Sequence, residues 1–519
     1  MTGPRQLNDE IIQSRVHRER DLFIASIPEA DILRLASSYH DGEECTFFTA
    51  SATRSHVARG SYNICYFVQF RLSNDKWVVR VPLRPCLGPS AKAKLENEIA
   101  AMNMVAARTT IRVPKIHAHR VEDSSSPLST FVILEYIDGE KLSYDRIRKL
   151  SDEQRKILYS SLADTYIQLR RLEFLSIGRL VQHLDGFAVS PKMSSIDINM
   201  QELEGLNPSS IQDSYFCDKG VLKSANAYVD MLLDISYNAF LRSRSSIVQG
   251  RGGEDLYHQH IFREYVKGRW LNRTLDQGPF VLVHGDLEPY NIMVDKDMAV
   301  IAILDWEWSR VVPVQFFNPP WWLSCLRTTR LASKVVYDSY LATFFKDFVD
   351  VTRARERVMF GNELLADDWE AFKGDGGFLF ANALENWTDI DWVASGYVNR
   401  KWFGGTKDLN ERVEAFLKED SIRVFVADVK EKECLAYTDE WACLKKNLPR
   451  EQRDAKIETT ADLGKMNLRS WIHQPLSTLF PFLERAISGY GLSKTVVIFA
   501  GTSYLIWKWA FGSPFPPKI

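Results

Sequence analysis

The sequence predicts an α+β fold of two lobes, a small β-rich N-lobe and a larger, mainly helical C-lobe. Three observations carry that expectation. Residues 46 to 137 alternate short apolar runs with one helical stretch, the pattern of a sheet with a packed helix. From Ser151 onward apolar residues fall instead at helical spacing over long stretches. Within that region Val281-Leu282-Val283 reads as a short buried strand ending at His284. Two further apolar runs, on either side of Asp295-Lys296-Asp297, should then pair as an antiparallel hairpin.

Taken in order, residues 1 to 45 read as a helical extension, 46 to 137 as the N-lobe, 138 to 450 as the C-lobe and 451 to 519 as a tail. Gly60-Ser61-Tyr62-Asn63 precedes the apolar run Ile64 to Val68, as a turn feeding a strand does. A lone glycine there is more often a plain turn than a phosphate loop. Trp77 to Val81 is the next strand, and Arg80 is either a solvent-facing edge residue or half of a buried ion pair. The helix from Ser90 to Ala107 offers the other half. Leu95, Ile99, Met102 and Val105 form its apolar stripe, and Glu98 lies on that stripe, where a carboxylate is costly unless paired. Glu96 faces solvent. Pairing of Glu98 with Arg80 is the expectation, and a place at the rim of the helix face is the alternative.

Phe131 to Ile137 is the last N-lobe strand and leads to Asp138-Gly139. Ser151 with Gln154 makes a capping box for a helix that carries Ile157, Leu158, Leu162, Tyr166 and Leu169 on one face. Gly250 to Gly253 is expected as a loop, and residues 330 to 450 read as helices interrupted at Gly374 to Gly377.

Composition narrows the class. The 519 residues carry 65 Lys and Arg against 67 Asp and Glu, a net charge of −2, with no basic block long enough to track a nucleic-acid backbone. Nucleic acid is not an expected partner. The seven cysteines are scattered and never spaced C-x-x-C, which argues against a disulfide framework and a zinc site and for a reducing, cytoplasmic compartment. The N-terminal residues show no apolar signal run. Thr495 to Trp507 is uncharged and largely apolar and extends to Gly512 if Lys508 snorkels, just short of the roughly 20 residues that span a bilayer. Membrane association through 495–512, as a tail anchor or interfacial helix, is one reading; a buried segment or a disordered tail is the other. Oligomeric state is not legible.

The residues that carry chemistry are His284, Gly285, Asp286, Asn291 and Asp305. Asp286 stands in a loop at the C-terminal edge of the Val281–Val283 strand. The hairpin brings Asn291 and Asp305 together, and one carbonyl oxygen with one carboxylate suits a hard cation such as Mg²⁺, the rest of its shell coming from phosphates and water. A loop Asp, an Asn five residues on and a later Asp is the arrangement of phosphoryl transfer.

The segment resembles the aminoglycoside phosphotransferase and choline kinase-like family, the small-molecule branch of the protein-kinase-like fold. Its motif H-G-D-x-x-x-x-N stands here as His284 to Asn291, and I-x-D-[WF]-E as Ile303-Leu304-Asp305-Trp306-Glu307. Ile177-Gly178-Arg179-Leu180 is similar to a short element of fungal-type members, so the resemblance covers about residues 55 to 325. It implies ATP and Mg²⁺ as cofactors, Asp286 as the residue that orients an acceptor hydroxyl, and Asn291 and Asp305 as metal ligands. It also implies Gly60 and Arg80, the latter fixed by Glu98, at the phosphates, and the stretch Glu135 to Ile137 at adenine. The expected reaction moves the γ-phosphate to a hydroxyl of a small molecule of aminoglycoside, choline, sugar or natural-product type.

Arg80 departs from the lysine of the kinase pattern V-A-I-K. Arginine still binds phosphate, bidentately and always charged, yet the departure leaves a catalytically inactive nucleotide-binding or scaffold protein as the alternative. A protein kinase is the third reading. Against it, Gly285 stands where such enzymes have Arg, and Trp306-Glu307 replaces Phe-Gly. Pro313, Pro319 and Pro320, with Trp321 and Trp322, leave little room for an activation segment. The Trp-rich stretch either lines an acceptor pocket or simply packs.

Overall fold

Two helices precede the first strand. Helix α1 (Glu10–Ala25) starts at Asp9, whose carboxylate accepts from the Ile11 and Ile12 N–H groups, and α2 (Glu29–Ser38) follows a Pro28 N-cap. In this computed structural model the described residues are 7–447, apart from 51, 52, 54, 89, 90, 123, 125 and 217–219. The chain divides into two units, residues 1–441 and 442–519, and the elements that build the site belong to the first.

Strands β1 (Cys45–Phe47), β2 (Val57–Arg59), β3 (Asn63–Phe70), β4 (Lys76–Pro82), β5 (Ile116–Val121) and β6 (Thr130–Glu135) form an antiparallel sheet. Its order is β1-β3-β4-β6-β5, with β2 paired to β3. Helix α3 (Ala91–Arg108) links β4 to β5. Alternation decides which side chains face where. Ile64, Tyr66, Val68 and Phe70 of β3, with Trp77, Val79 and Val81 of β4, pack with Val16, Ile24, Ile32 and Ala36 of α1 and α2. The opposite face, including Val132 and Leu134, packs with Leu95, Met102 and Val105 of α3. The N-terminal helices therefore cover the outer face of this sheet, which explains why its central strands are apolar on both sides.

Beyond Glu135 the chain runs through β7 (Glu140–Lys141) and α4 (Tyr144–Arg148) into α5 (Asp152–Arg170), which has the expected Ser151–Gln154 capping box. Then come β8 (Glu173–Phe174), the hairpin β9 (Arg179–His183) and β10 (Gly186–Ser190), and helices α6 (Ile196–Leu203), α7 (Pro208–Phe216), α8 (Ala225–Arg242) and α9 (Gly252–Tyr265). The loop expected over Gly250 to Gly253 is shorter, because the Glu431 carboxylate accepts from the Gly250 and Gly252 N–H groups and lets α9 start at Gly252.

Four short strands follow: β11 (Phe280–Val283), β12 (Ile292–Val294), β13 (Val300–Ile303) and β14 (Arg310–Pro313). They make two three-stranded sheets, β14-β11-β8 and β13-β12-β7. The β12–β13 pairing is the antiparallel hairpin read from the sequence, with Ile292 opposite Ile303. Further helices, among them Lys346–Phe360, Leu364–Phe372 and Gly377–Leu384, complete the lobe, with Asp375 at positive φ in the Gly374–Gly377 break. Among the described residues no helix is long and apolar enough to cross a membrane, and the segment 495–512 lies outside them.

Candidate active site

One cavity of about 1000 Å³ is lined by both lobes. The Gly60–Asn63 turn, Arg80, Glu98 and the Glu135–Ile137 stretch come from the N-lobe side, and Asp286, Asn291 and Asp305 come from the C-lobe side.

The Asp286 loop is held by backbone chemistry. Gly285 has φ 81°, and a Cβ there would collide with the Trp308 carbonyl oxygen, so only glycine fits. His284 is 2% exposed; its Nε2–H donates to the Leu304 carbonyl at 2.9 Å and its Nδ1 accepts the Asp286 N–H at 3.3 Å. Both partners fit a single neutral tautomer, and burial pushes its pKa down to about 4. The imidazole thus joins the Asp286 loop to the chain entering Asp305.

Asn291 ends a short 3-10 turn at the start of β12. Its side-chain N–H group donates to the Asp286 carbonyl at 2.8 Å and to Asp286 Oδ2 at 3.0 Å. Tyr290 OH donates to Asp286 Oδ1 at 3.0 Å. The β12–β13 register brings Asp305 alongside, and the Leu304 N–H donates to the Asn291 carbonyl at 2.9 Å. Asp305 itself has φ 66°, a left-handed conformation that an Asp tolerates better than most residues.

Arg80 bridges the lobes. It is 6% exposed and forms an ion pair with Glu98, which is 2% exposed, while its Nη1 lies 3.1 Å from Asp305 Oδ1. Burial works against the guanidinium charge, but Glu98 and Asp305 outweigh it and raise its pKa. Burial raises the Asp305 carboxyl in turn; Arg80 pulls it back and Glu98 adds to the rise. The Asp305 side chain is 31% open and lines the cavity.

The Glu135 side chain is paired with Arg112 at 2.7 Å and accepts the Lys115 N–H at 3.1 Å, so it serves the strand. The Tyr136 N–H donates to the Lys76 carbonyl at 3.1 Å. Ile137 is 5% exposed and packs with Met293 and Ala302. Trp322 is buried beneath the loop, its indole N–H donating to the Leu287 carbonyl at 2.7 Å, and Trp321 also lines the cavity.

Three residues with no role assigned from the sequence sit in the same place. Glu307 is buried beside Lys94 of α3 as an ion pair, and the Asn63 side-chain N–H donates to it at 2.6 Å. Lys94 lies one turn before Glu98 on the same helix face, so the argument that a charge on an apolar stripe needs a partner identifies it too. Asn97, fully buried, donates to the Ser309 carbonyl at 2.8 Å and accepts the Leu180 N–H at 2.9 Å, fastening α3 to the C-lobe.

A two-lobed architecture with an acid–amide–acid set at the cleft defines a kinase-like fold. Residues 65–316 match the phosphotransferase enzyme family. Among curated proteins the chain is 27% identical over 128 residues to altered inheritance of mitochondria protein 9 of Meyerozyma guilliermondii, covering 24% of this chain and 21% of that one. It is 26% identical over 266 residues to clavilactone A biosynthesis cluster protein Y of Ampulloclitocybe clavipes, covering 47% and 57%. The chain thus spans less than two thirds of each of these relatives. The structure of the streptomycin–ATP–APH(2")-IIa complex aligns at 13% identity and TM-score 0.36 over 76% of this chain and 97% of that one.

Proposed function

We propose that this chain is a nucleotide-dependent phosphotransferase that moves the γ-phosphate of ATP to a hydroxyl of a small molecule. The convergence of Asp286, Asn291 and Asp305 with the Arg80–Glu98 pair on one cavity carries this reading.

The residues fit Mg²⁺. With its N–H group committed to Asp286, Asn291 leaves its carbonyl oxygen for a cation, and Asp305 adds a carboxylate. The ion, when bound, neutralises charge on the β and γ phosphates. Arg80 meets the same phosphates and is kept in place by Glu98. The base lies against Ile137, where the main chain offers its edge; the Tyr136 N–H is already engaged.

Asp286 orients the acceptor hydroxyl. Its two oxygens receive Tyr290 OH and the Asn291 amide, which fixes the carboxylate plane and favours alignment over strong base catalysis. His284 moves no proton, since both its nitrogens are engaged and its pKa lies far below neutrality. Trp321 and Trp322 supply part of the acceptor wall.

The test is incubation of the protein with Mg·ATP and a panel of hydroxylated aminoglycosides, amino alcohols, sugars and aromatic natural products, read by mass spectrometry for an added phosphoryl group. A product formed by the wild type and absent with Asp286→Asn supports the reading. A product formed equally by both variants contradicts the role of Asp286. ATP binding with no transfer to any of them favours the nucleotide-binding, non-catalytic alternative.

A further inference from the structure

The cleft contains a second buried ion pair that the proposed chemistry does not use. Glu307, two residues beyond Asp305 and 1% exposed, receives the Lys94 ammonium and the Asn63 side-chain N–H on the same oxygen, Oε2. Lys94 is 3% exposed, and its ammonium lies 5.7 Å from the Tyr62 ring centre and 5.2 Å from that of Trp308. The cation is therefore enclosed by one carboxylate and two aromatic rings. Asn63 closes the turn begun at Gly60, whose N–H donates to the Asn63 carbonyl at 2.8 Å. One carboxylate oxygen thus joins three elements: the turn over the cavity, helix α3 and the segment that carries Asp305.

We propose that Asn63, Lys94 and Glu307 form a positioning clamp that holds the Gly60–Asn63 turn over the nucleotide phosphates. None of the three touches the reacting atoms. The inference rests on the nucleotide reading above. A glycine-rich loop loses conformational freedom each time it closes on a ligand, whereas a turn with one glycine, pinned from below, is already ordered. The clamp serves the phosphate end of the cavity. The base end is walled by Val78, Leu134 and Met293 from other strands, so loss of the clamp should weaken phosphate binding and spare base binding.

The experiment compares affinities of the full chain for Mg·ATP and for adenosine by calorimetry, with Mg·GTP and guanosine run in parallel. The proteins are wild type, Asn63→Ala, Lys94→Met and Lys94→Arg. Asn63→Ala removes one hydrogen bond to a charged group and should weaken nucleotide triphosphate binding by about tenfold. Lys94→Met strands a buried carboxylate and should weaken it by about a hundredfold, with Lys94→Arg recovering part of the loss. Nucleoside affinity should stay within about twofold of wild type, because no phosphate contact is involved. Asn63→Ala keeps the ion pair and so remains decisive if Lys94→Met fails to fold. Equal losses for triphosphate and nucleoside, or no loss for either, overturn the clamp while leaving the nucleotide reading intact. A wild type that binds neither ligand overturns that reading and the clamp with it.

Discussion

Replacing Arg80 by methionine removes a side chain that pairs with both Glu98 and Asp305. Arg80 and Glu98 are 6% and 2% exposed, so the variant leaves the Glu98 carboxylate buried with its cation gone. Breaking a buried ion pair from one side costs roughly 3–5 kcal/mol. At about 1 °C per kcal/mol for a chain of this size, the unfolding midpoint should fall by roughly 3–5 °C. Arg80→Lys keeps the charge, but its single nitrogen cannot fork between two carboxylates, and the loss should be about 1–2 kcal/mol. The double variant Arg80→Met, Glu98→Leu replaces both partners by apolar groups and should recover most of the loss, giving a coupling of about 2 kcal/mol or more. Thermal and urea unfolding followed by circular dichroism measure all three, with Glu98→Leu alone completing the cycle. An Arg80→Met midpoint within about 1 °C of wild type would refute the idea that this pair holds helix α3 against its strand.

Protonation of His284 should set part of the acid sensitivity. Its folded pKa of about 4 lies below the unfolded value of 6.5, so the unfolded state binds the extra proton between them. The contribution, about 3 kcal/mol, is therefore complete above pH 6.5 and lost as the pH falls toward 4; midpoints measured from pH 4 to 8 should show this slope in wild type and not in His284→Gln. Glu204 behaves in the opposite sense. Burial raises its folded pKa to about 7, against backbone hydrogen bonds from Asp9 and Asn8 that lower it. The folded state thus binds the extra proton, and the penalty grows as the pH rises from 4.5 to 7. Glu204→Gln should therefore stabilise the protein by about 1–2 kcal/mol at pH 8 and by little at pH 4.5, read from urea midpoints at the two values. Gly285→Ala should cost at least about 2 kcal/mol, because the new Cβ meets a backbone oxygen in a left-handed conformation; a midpoint shift of under 1 °C would contradict this geometry.

The parts of the site that were legible are those fixed locally. Asp286, Asn291 and Asp305 lie within 20 residues, and the hairpin that brings Asn291 and Asp305 together is announced by apolar runs on either side of Asp295-Lys296-Asp297. Arg80 with Glu98 was legible for another reason: a charge on an apolar helix stripe needs a partner, and the strand before it offered one. The same logic reaches Lys94, but its partner Glu307 lies 213 residues away, between two buried tryptophans, where no local pattern links them. The role of the first two helices is also tertiary. Val16 and Ile24 are the apolar residues of α1 that become buried, too few to say which surface they meet, and only the fold shows them on the outer face of the N-lobe sheet. Arg310 and Glu385, paired at 2.6 Å on the cavity wall, are distant in sequence for the same reason and carry no shared motif.

The proposed function requires a metal-dependent nucleotide site at Asp305. Calorimetric titration of Mg·ATP and of metal-free ATP into wild type and Asp305→Ala tests it directly. Saturable binding to wild type that requires Mg²⁺ and weakens by about a hundredfold in Asp305→Ala is expected, as loss of a charged ligand to a bound cation should do. Binding that is the same with and without Mg²⁺, or unchanged by Asp305→Ala, would contradict it.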